Sequence, residues 1–282
     1  MFGGFFNRMY YGNPNRPDLK KEDVQMGRFK TFFVVLQIRY WKLIQLNLLY
    51  SIFWSPAFFV TYAHLMAMSR MLENNEMLSM LPGFWSSLII LLIPCMVIAG
   101  PATAGVVYVI RNWARDEHAW LWSDFKDAWK QNWKESLLIM LINGLALFVF
   151  YINMNFYAVQ AQKGLIYIVL RYIVIMIGII YCMMNMFIFP MLVTYKLKLR
   201  QIFKNALIFT MAELPRTFAI FVLAFLLFGI VFYYSIPFII PFFIIGLTFP
   251  MFIAISYVNW VFDKYLNKEP DEQNEISAKN GS

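Results

Sequence analysis

Charge is scarce in this chain. Of its 282 residues only 14% are Asp, Glu, Lys or Arg, against 61% hydrophobic and 19% aromatic, at a mean hydropathy of +0.58. A water-soluble domain carries far more charge and fewer large apolar residues, so that class is excluded. Histidine and cysteine are scarcer still, at two each. Cys95 and Cys182 each lie in an apolar run, with no CxxC pair and no histidine nearby. That excludes a Cys/His metal centre and leaves two small hydrophobes, or a disulfide between helices. The motifs GxxxxGK[ST], HExxH and GxSxG are missing, and no two carboxylates share an apolar run. The chain is therefore expected to be non-enzymatic, with no cofactor and no metal.

What is abundant is apolar sequence in runs longer than the roughly 20 residues a bilayer-spanning helix needs. The basic residues punctuate these runs. Of 24 Lys and Arg, 21 fall up to Lys42, within 111–135, within 195–216 or after Tyr257, and the segments between hold only Arg70, Lys163 and Arg171. Such alternation follows the rule that cytoplasmic loops retain Lys and Arg. It turns the net charge of +8 into a topology signal, with anionic lipids as partners and no nucleic acid. Six spans with both termini in the cytoplasm satisfy every basic segment.

The expected order is a basic cytoplasmic segment 1–42, a transmembrane domain 43–265 and a disordered cytoplasmic tail 266–282. Residues 24–42 admit two readings. Phe29, Phe32, Phe33, Leu36 and Tyr40 share one face of a surface helix, or the segment is an early start of the first span. The spans are expected at Leu43–Met68, Phe84–Ile110, Leu137–Asn153, Leu165–Tyr195, Phe218–Tyr234 and Phe238–Phe262. Pro56 should kink the first, and Pro241 and Pro250 should bend the last. A tight outer turn is expected at Ser235-Ile236-Pro237, and an outer loop over 154–164. Arg171 lies inside the fourth span. A buried arginine is a functional candidate by default, although this one is near enough to the outer end to snorkel.

The densest stretch is 99–136, AGPATAGVVYVIRNWARDEHAWLWSDFKDAWKQNWKES. Gly100, Pro101 and Gly105 interrupt bulky residues in the second span. They suit either close helix packing in lipid or a broken helix lining a cavity. Beyond Arg111, the residues Leu121, Phe125, Trp129 and Trp133 recur every four, with Ala128 beside them and charges on the remaining faces. This is an amphipathic helix at the interface, where tryptophans settle, with Trp122, Trp129 and Trp133 as anchors or docking residues. Asp124 is placed to cap its first turn. Asp116, Glu117 and His118 are adjacent and point apart, so they read as solvated charges. A second copy of the design follows at 195–216, where Phe203-Lys204-Asn205-Ala206 matches Phe125-Lys126-Asp127-Ala128. Here Leu199, Phe203, Ala206 and Thr210 trace one face, with Ile202 and Leu207 beside it. The fold class is thus an all-α polytopic bundle of six transmembrane helices with two cytoplasmic interfacial amphipathic helices.

From Gly100 to Ser136, back through LIQLNLLYSIFWSPAF (43–58) and on to the last span, the chain resembles the YesL-like family of bacterial multi-pass membrane proteins. The matching signature is Gly100, Pro101, Gly105, Arg111, Asp124 and Phe125. That resemblance implies a plasma-membrane protein of a Gram-positive bacterium. It also implies an accessory role in carbohydrate uptake beside an ABC importer, whose permease and ATPase subunits would be its partners. The expected function is a non-enzymatic accessory that packs beside the permease and aids assembly, stability or regulation. The alternative is that the chain is itself a small-solute transporter or channel, although Asn143, Asn153, Asn155, Asn185 and Arg171 are a sparse supply of polar groups for a sugar path.

Overall fold

The computed structural model describes residues 28–73, 77–235 and 242–267. Among the described residues all regular structure is helical: α1 (Arg28–Glu73), α2 (Met77–Ala114), α3 (Ser123–Gln131), α4 (Trp133–Gln160), α5 (Leu165–Thr194), α6 (Leu199–Ala212), α7 (Leu214–Ser235) and α8 (Thr248–Tyr265). A 3-10 turn, Ala161–Lys163, joins α4 to α5, and a π-helical turn, Phe242–Gly246, precedes α8. Six stretches are long and apolar enough to cross a membrane: Lys30–Arg70, Gly83–Ala114, Trp133–Lys163, Leu165–Thr194, Leu214–Val231 and Phe243–Tyr265. The protein is a polytopic helix bundle.

The centre of the bundle is α2. It packs along α1, α4, α5 and α8, and Ala99, Ala102, Ala104, Val106, Val109 and Ile110 have no exposed surface. Small residues let its neighbours approach. A Cβ on Gly100 would lie 2.7 Å from the Ser136 carbonyl oxygen of α4, and one on Gly105 would lie 2.6 Å from the Phe125 ring of α3. Contacts this short with backbone and a buried ring leave no room for a methyl group. The outward side of the bundle is carried by α4, α5 and α7. None of the most apolar window of α5 is buried inside the molecule, and only 6% of that of α7 and 17% of that of α4.

Several sequence expectations change. Helix α1 is continuous across residue 42, with no break between residues 28–42 and the first span; residues 24–27 lie outside the described residues. The expected loop 154–164 is mostly helix. Asn153 and Asn155 donate their side-chain amides to the carbonyls of Val149 and Tyr151, four residues back, and no Gly or Pro stops α4 before Gly164. Pro250 does not bend a helix interior. It is the third residue of α8, in the first turn, where a missing N–H costs nothing. The interruption falls before it, at Gly246–Leu247. Pro241 and the turn at Ile236-Pro237 lie outside the described residues. Both cysteines are free thiols.

Candidate functional site

Two polar constructions hold α8 against the rest of the bundle. The first lies within the membrane-spanning part. Between the π-helical turn and α8 the backbone hydrogen-bond ladder is broken, which in lipid is tolerated only where protein satisfies the freed groups. Asn47 of α1, fully buried, does this. Its Oδ1 accepts from the N–H groups of Leu247 and Thr248, both at 2.9 Å, while its Nδ2 donates to the Phe243 carbonyl at 2.6 Å. The Thr248 hydroxyl donates to the Leu43 carbonyl at 3.2 Å. One amide side chain thus closes both sides of a helix break. Sequence reasoning missed Asn47 as a site residue. Its signal was a lone Asn in an apolar span, and the break it serves lies 200 residues away.

The second construction is at the opposite end of α8, where α2 runs out. Asn259 Nδ2 donates to the Arg111 carbonyl at 3.1 Å, and Arg111 Nη1 donates to Asn112 Oδ1 at 2.9 Å. Arg115 pairs with Glu117 at 2.7 Å and with Asp263 of α8 at 2.9 Å. Partial burial works to lower the Arg115 pKa, but the two carboxylates outweigh it and carry it above the ordinary value. Arg39 of α1 lies over the Trp113 ring and 3.9 Å from Asp116. Arg111 Nε and Asn259 Oδ1 are buried at this junction without a hydrogen-bond partner among the described residues. A short loop folds over the end, held by Trp113 Nε1 donating to the Ala119 carbonyl at 3.1 Å, with Asp116 in the left-handed region at φ 58°, which Asp tolerates.

Beside this junction Glu213, between α6 and α7, is 5% exposed. It accepts from Lys264 and, at 2.8 Å, from the Tyr265 hydroxyl, both on α8, and from Arg216 at 2.9 Å. The Lys264 hydrogen bond chiefly, against the cost of burial and with help from Tyr265 and Arg216, holds the Glu213 carboxyl below the usual carboxylate range.

The signature residues come together around α2 and α3, as packing. Phe125 is fully buried on Gly105, 6.1 Å from the Phe53 ring, and Trp129 lies 5.6 Å from the same ring. The apolar face of α3 therefore turns inward onto α1 and α2. Trp133 is not on that face. The helix breaks at Asn132, and Trp133 opens α4, exposed like Trp122. Asp124 makes no first-turn cap. It reaches backward, accepting from the Trp120 N–H at 2.7 Å. Pro101 is buried within α2. In α6 the inward face is Ile202, Ala206, Phe209 and Thr210, with Phe203 partly buried against the core. Leu207 points outward instead. Arg171 stands apart from both constructions.

A third feature is a lateral groove of about 760 Å³ between α4 and α5, with Met96 of α2 and Phe221 of α7 contributing to its walls. There Gly178 meets the Phe150 ring, and the Tyr181 hydroxyl donates to Asn143 Oδ1 at 2.7 Å. Among the described residues no three His, Cys, Asp or Glu side chains gather as a metal site would need.

Residues 43–154 match the family described as "Protein of unknown function, DUF624". The matched stretch holds Asn47, the whole of α3 and all six signature residues, but none of α8. No curated protein matches the chain. No solved structure matches it either.

Proposed function

We propose that this protein is a non-enzymatic accessory of an ABC-type carbohydrate importer. It would lie in the plasma membrane of a Gram-positive bacterium with both termini in the cytoplasm, and pack beside the permease subunits. The YesL-like resemblance suggests the importer. The observation that carries the docking role is the asymmetry of the bundle. Helix α2 is enclosed in an apolar seam by its neighbours, while the most apolar window of α5 has no buried residue and those of α4 and α7 have few. A wall of that kind suits lateral packing of a membrane subunit, where van der Waals contact drives association. The exposed charges of α3, Lys126, Asp127 and Lys130, lie at the bundle end that this orientation turns to the cytoplasm, within reach of an ATPase subunit.

The test is affinity purification of the tagged chain from its native membranes in mild detergent, with co-purifying proteins identified by mass spectrometry. Permease and ATPase subunits of a carbohydrate importer should be recovered with it. Met176→Gln, on the exposed face of α5, should lower that recovery without changing thermal stability. A chain that purifies alone under cross-linking conditions would sink the accessory role. Solute uptake by liposomes carrying the pure protein would then test the transporter alternative.

A further inference from the structure

Arg171 lies one turn of α5 before the residues that line an apolar groove, and it has no ion-pair partner among the described residues. Its Nε is buried with no hydrogen bond. It lies six residues into α5, about 9 Å from the helix start. One turn further on are Val174 and Ile175, and two turns further is Gly178, all of which line the groove. Residues spaced by three, four and seven share one helix face, so Arg171 heads the stripe that forms the α5 wall.

Depth identifies what such a groove holds. It extends from the level of Asn153 and Val174 to that of Asn143 and Asn185, ten or eleven residues, or about 15 Å along the helices. That is the thickness of one leaflet, half of a hydrocarbon core of about 30 Å. Exposed Tyr172 adjoins Arg171, and exposed Tyr62 and Trp85 occupy the same end of α1 and α2, as aromatic residues do at a membrane interface. Arg171 is thereby at headgroup depth, with one leaflet's length of apolar groove below it. At the same end, Gln160 closes α4 with a buried Oε1 that also lacks a partner.

We propose that this groove is a binding site for an anionic glycerophospholipid of the leaflet on the side of the α4–α5 turn. The phosphate accepts hydrogen bonds from the Arg171 guanidinium, and an acyl chain lies between α4 and α5. Charge complementarity favours a lipid phosphate there over a second copy of this chain, which would bring a like charge to the same place. The lipid fills the space between α4 and α5 and steadies the hairpin. This inference does not depend on the importer reading.

Native mass spectrometry of the full chain, delipidated in detergent and titrated with phosphatidylglycerol or phosphatidylcholine of equal chain length, tests it. The wild type should retain phosphatidylglycerol about fivefold more strongly, the effect of one cation beside an anionic headgroup. Arg171→Gln should abolish the preference, Arg171→Lys should keep it, and Lys163→Gln, on the adjoining exposed turn, should leave it unchanged. Ile175→Trp, which fills the groove, should weaken both lipids and remove the thermal stabilisation that phosphatidylglycerol confers. Equal retention of the two lipids by the wild type, or an undiminished preference in Arg171→Gln, overturns the proposal. So does a dimer that forms through this face and excludes lipid.

Discussion

Asn47 is the residue on which the last span depends. Replacing it with leucine removes the side-chain partner of the Leu247 and Thr248 N–H groups and of the Phe243 carbonyl. A buried polar group deprived of its partner costs about 1–3 kcal/mol. Double-mutant cycles in membrane proteins give smaller values for interhelical hydrogen bonds, because the unfolded chain in lipid also finds partners. We therefore expect Asn47→Leu to lower stability by roughly 3 kcal/mol, read as a fall in thermal midpoint in detergent. Gln45→Leu, an exposed polar site two residues away, should change it little. Equal effects of the two substitutions would mean that the break at Gly246–Leu247 does not rely on the clamp. Gly105 and Phe125 make the opposite kind of contact, one glycine beneath one ring, and nothing in their spacing along the chain hinted that they touch.

At the scale of elements, α3 and α6 do the same work at one end of the bundle. Each follows a span and folds back along it, α3 on α2 and α6 on α5. The repeated Phe-Lys-Asp/Asn-Ala is a register in which the alanine is buried both times. The likeness stops at the next helix, since α4 returns along α2 whereas α7 packs chiefly on α8. Glu213 ties that second unit to α8 through Lys264 and Tyr265. Because its folded pKa is lowered, its contribution to stability is complete above the ordinary carboxylate value of 4.5. It is lost as pH falls through the lowered folded value. Unfolding midpoints measured from about pH 7 to about pH 3 should show wild type more stable than Glu213→Gln at the upper end, with the gap closing in acid. A gap that persists unchanged at the lower end would rule the carboxylate out as the linkage.

For the whole molecule, orientation is the consequence that matters for partners. With Cys95 and Cys182 replaced by serine, a cysteine at Gln162 in the α4–α5 turn should react with an impermeant thiol reagent in intact cells. One at Lys126 of α3 should react only after lysis. The reverse pattern would put both termini outside and move the proposed ATPase contact to the wrong side. By itself the sequence determined the membrane-spanning class, the number of spans and the positions of α3 and α6. Those follow from hydropathy summed over long runs and from periodicity, which are local and survive any arrangement of the helices. It left undecided whether residues 24–42 form a separate surface helix, and it ended α4 too early, at Asn153, because caps and breaks turn on single hydrogen bonds. Only the tertiary structure decided that the apolar face of α3 turns inward, that Asn47 closes a break 200 residues away, and that a groove opens between α4 and α5. Each of these depends on which helix packs beside which, and apolar helices in lipid choose neighbours by shape and a few polar contacts that leave no periodic trace in the chain.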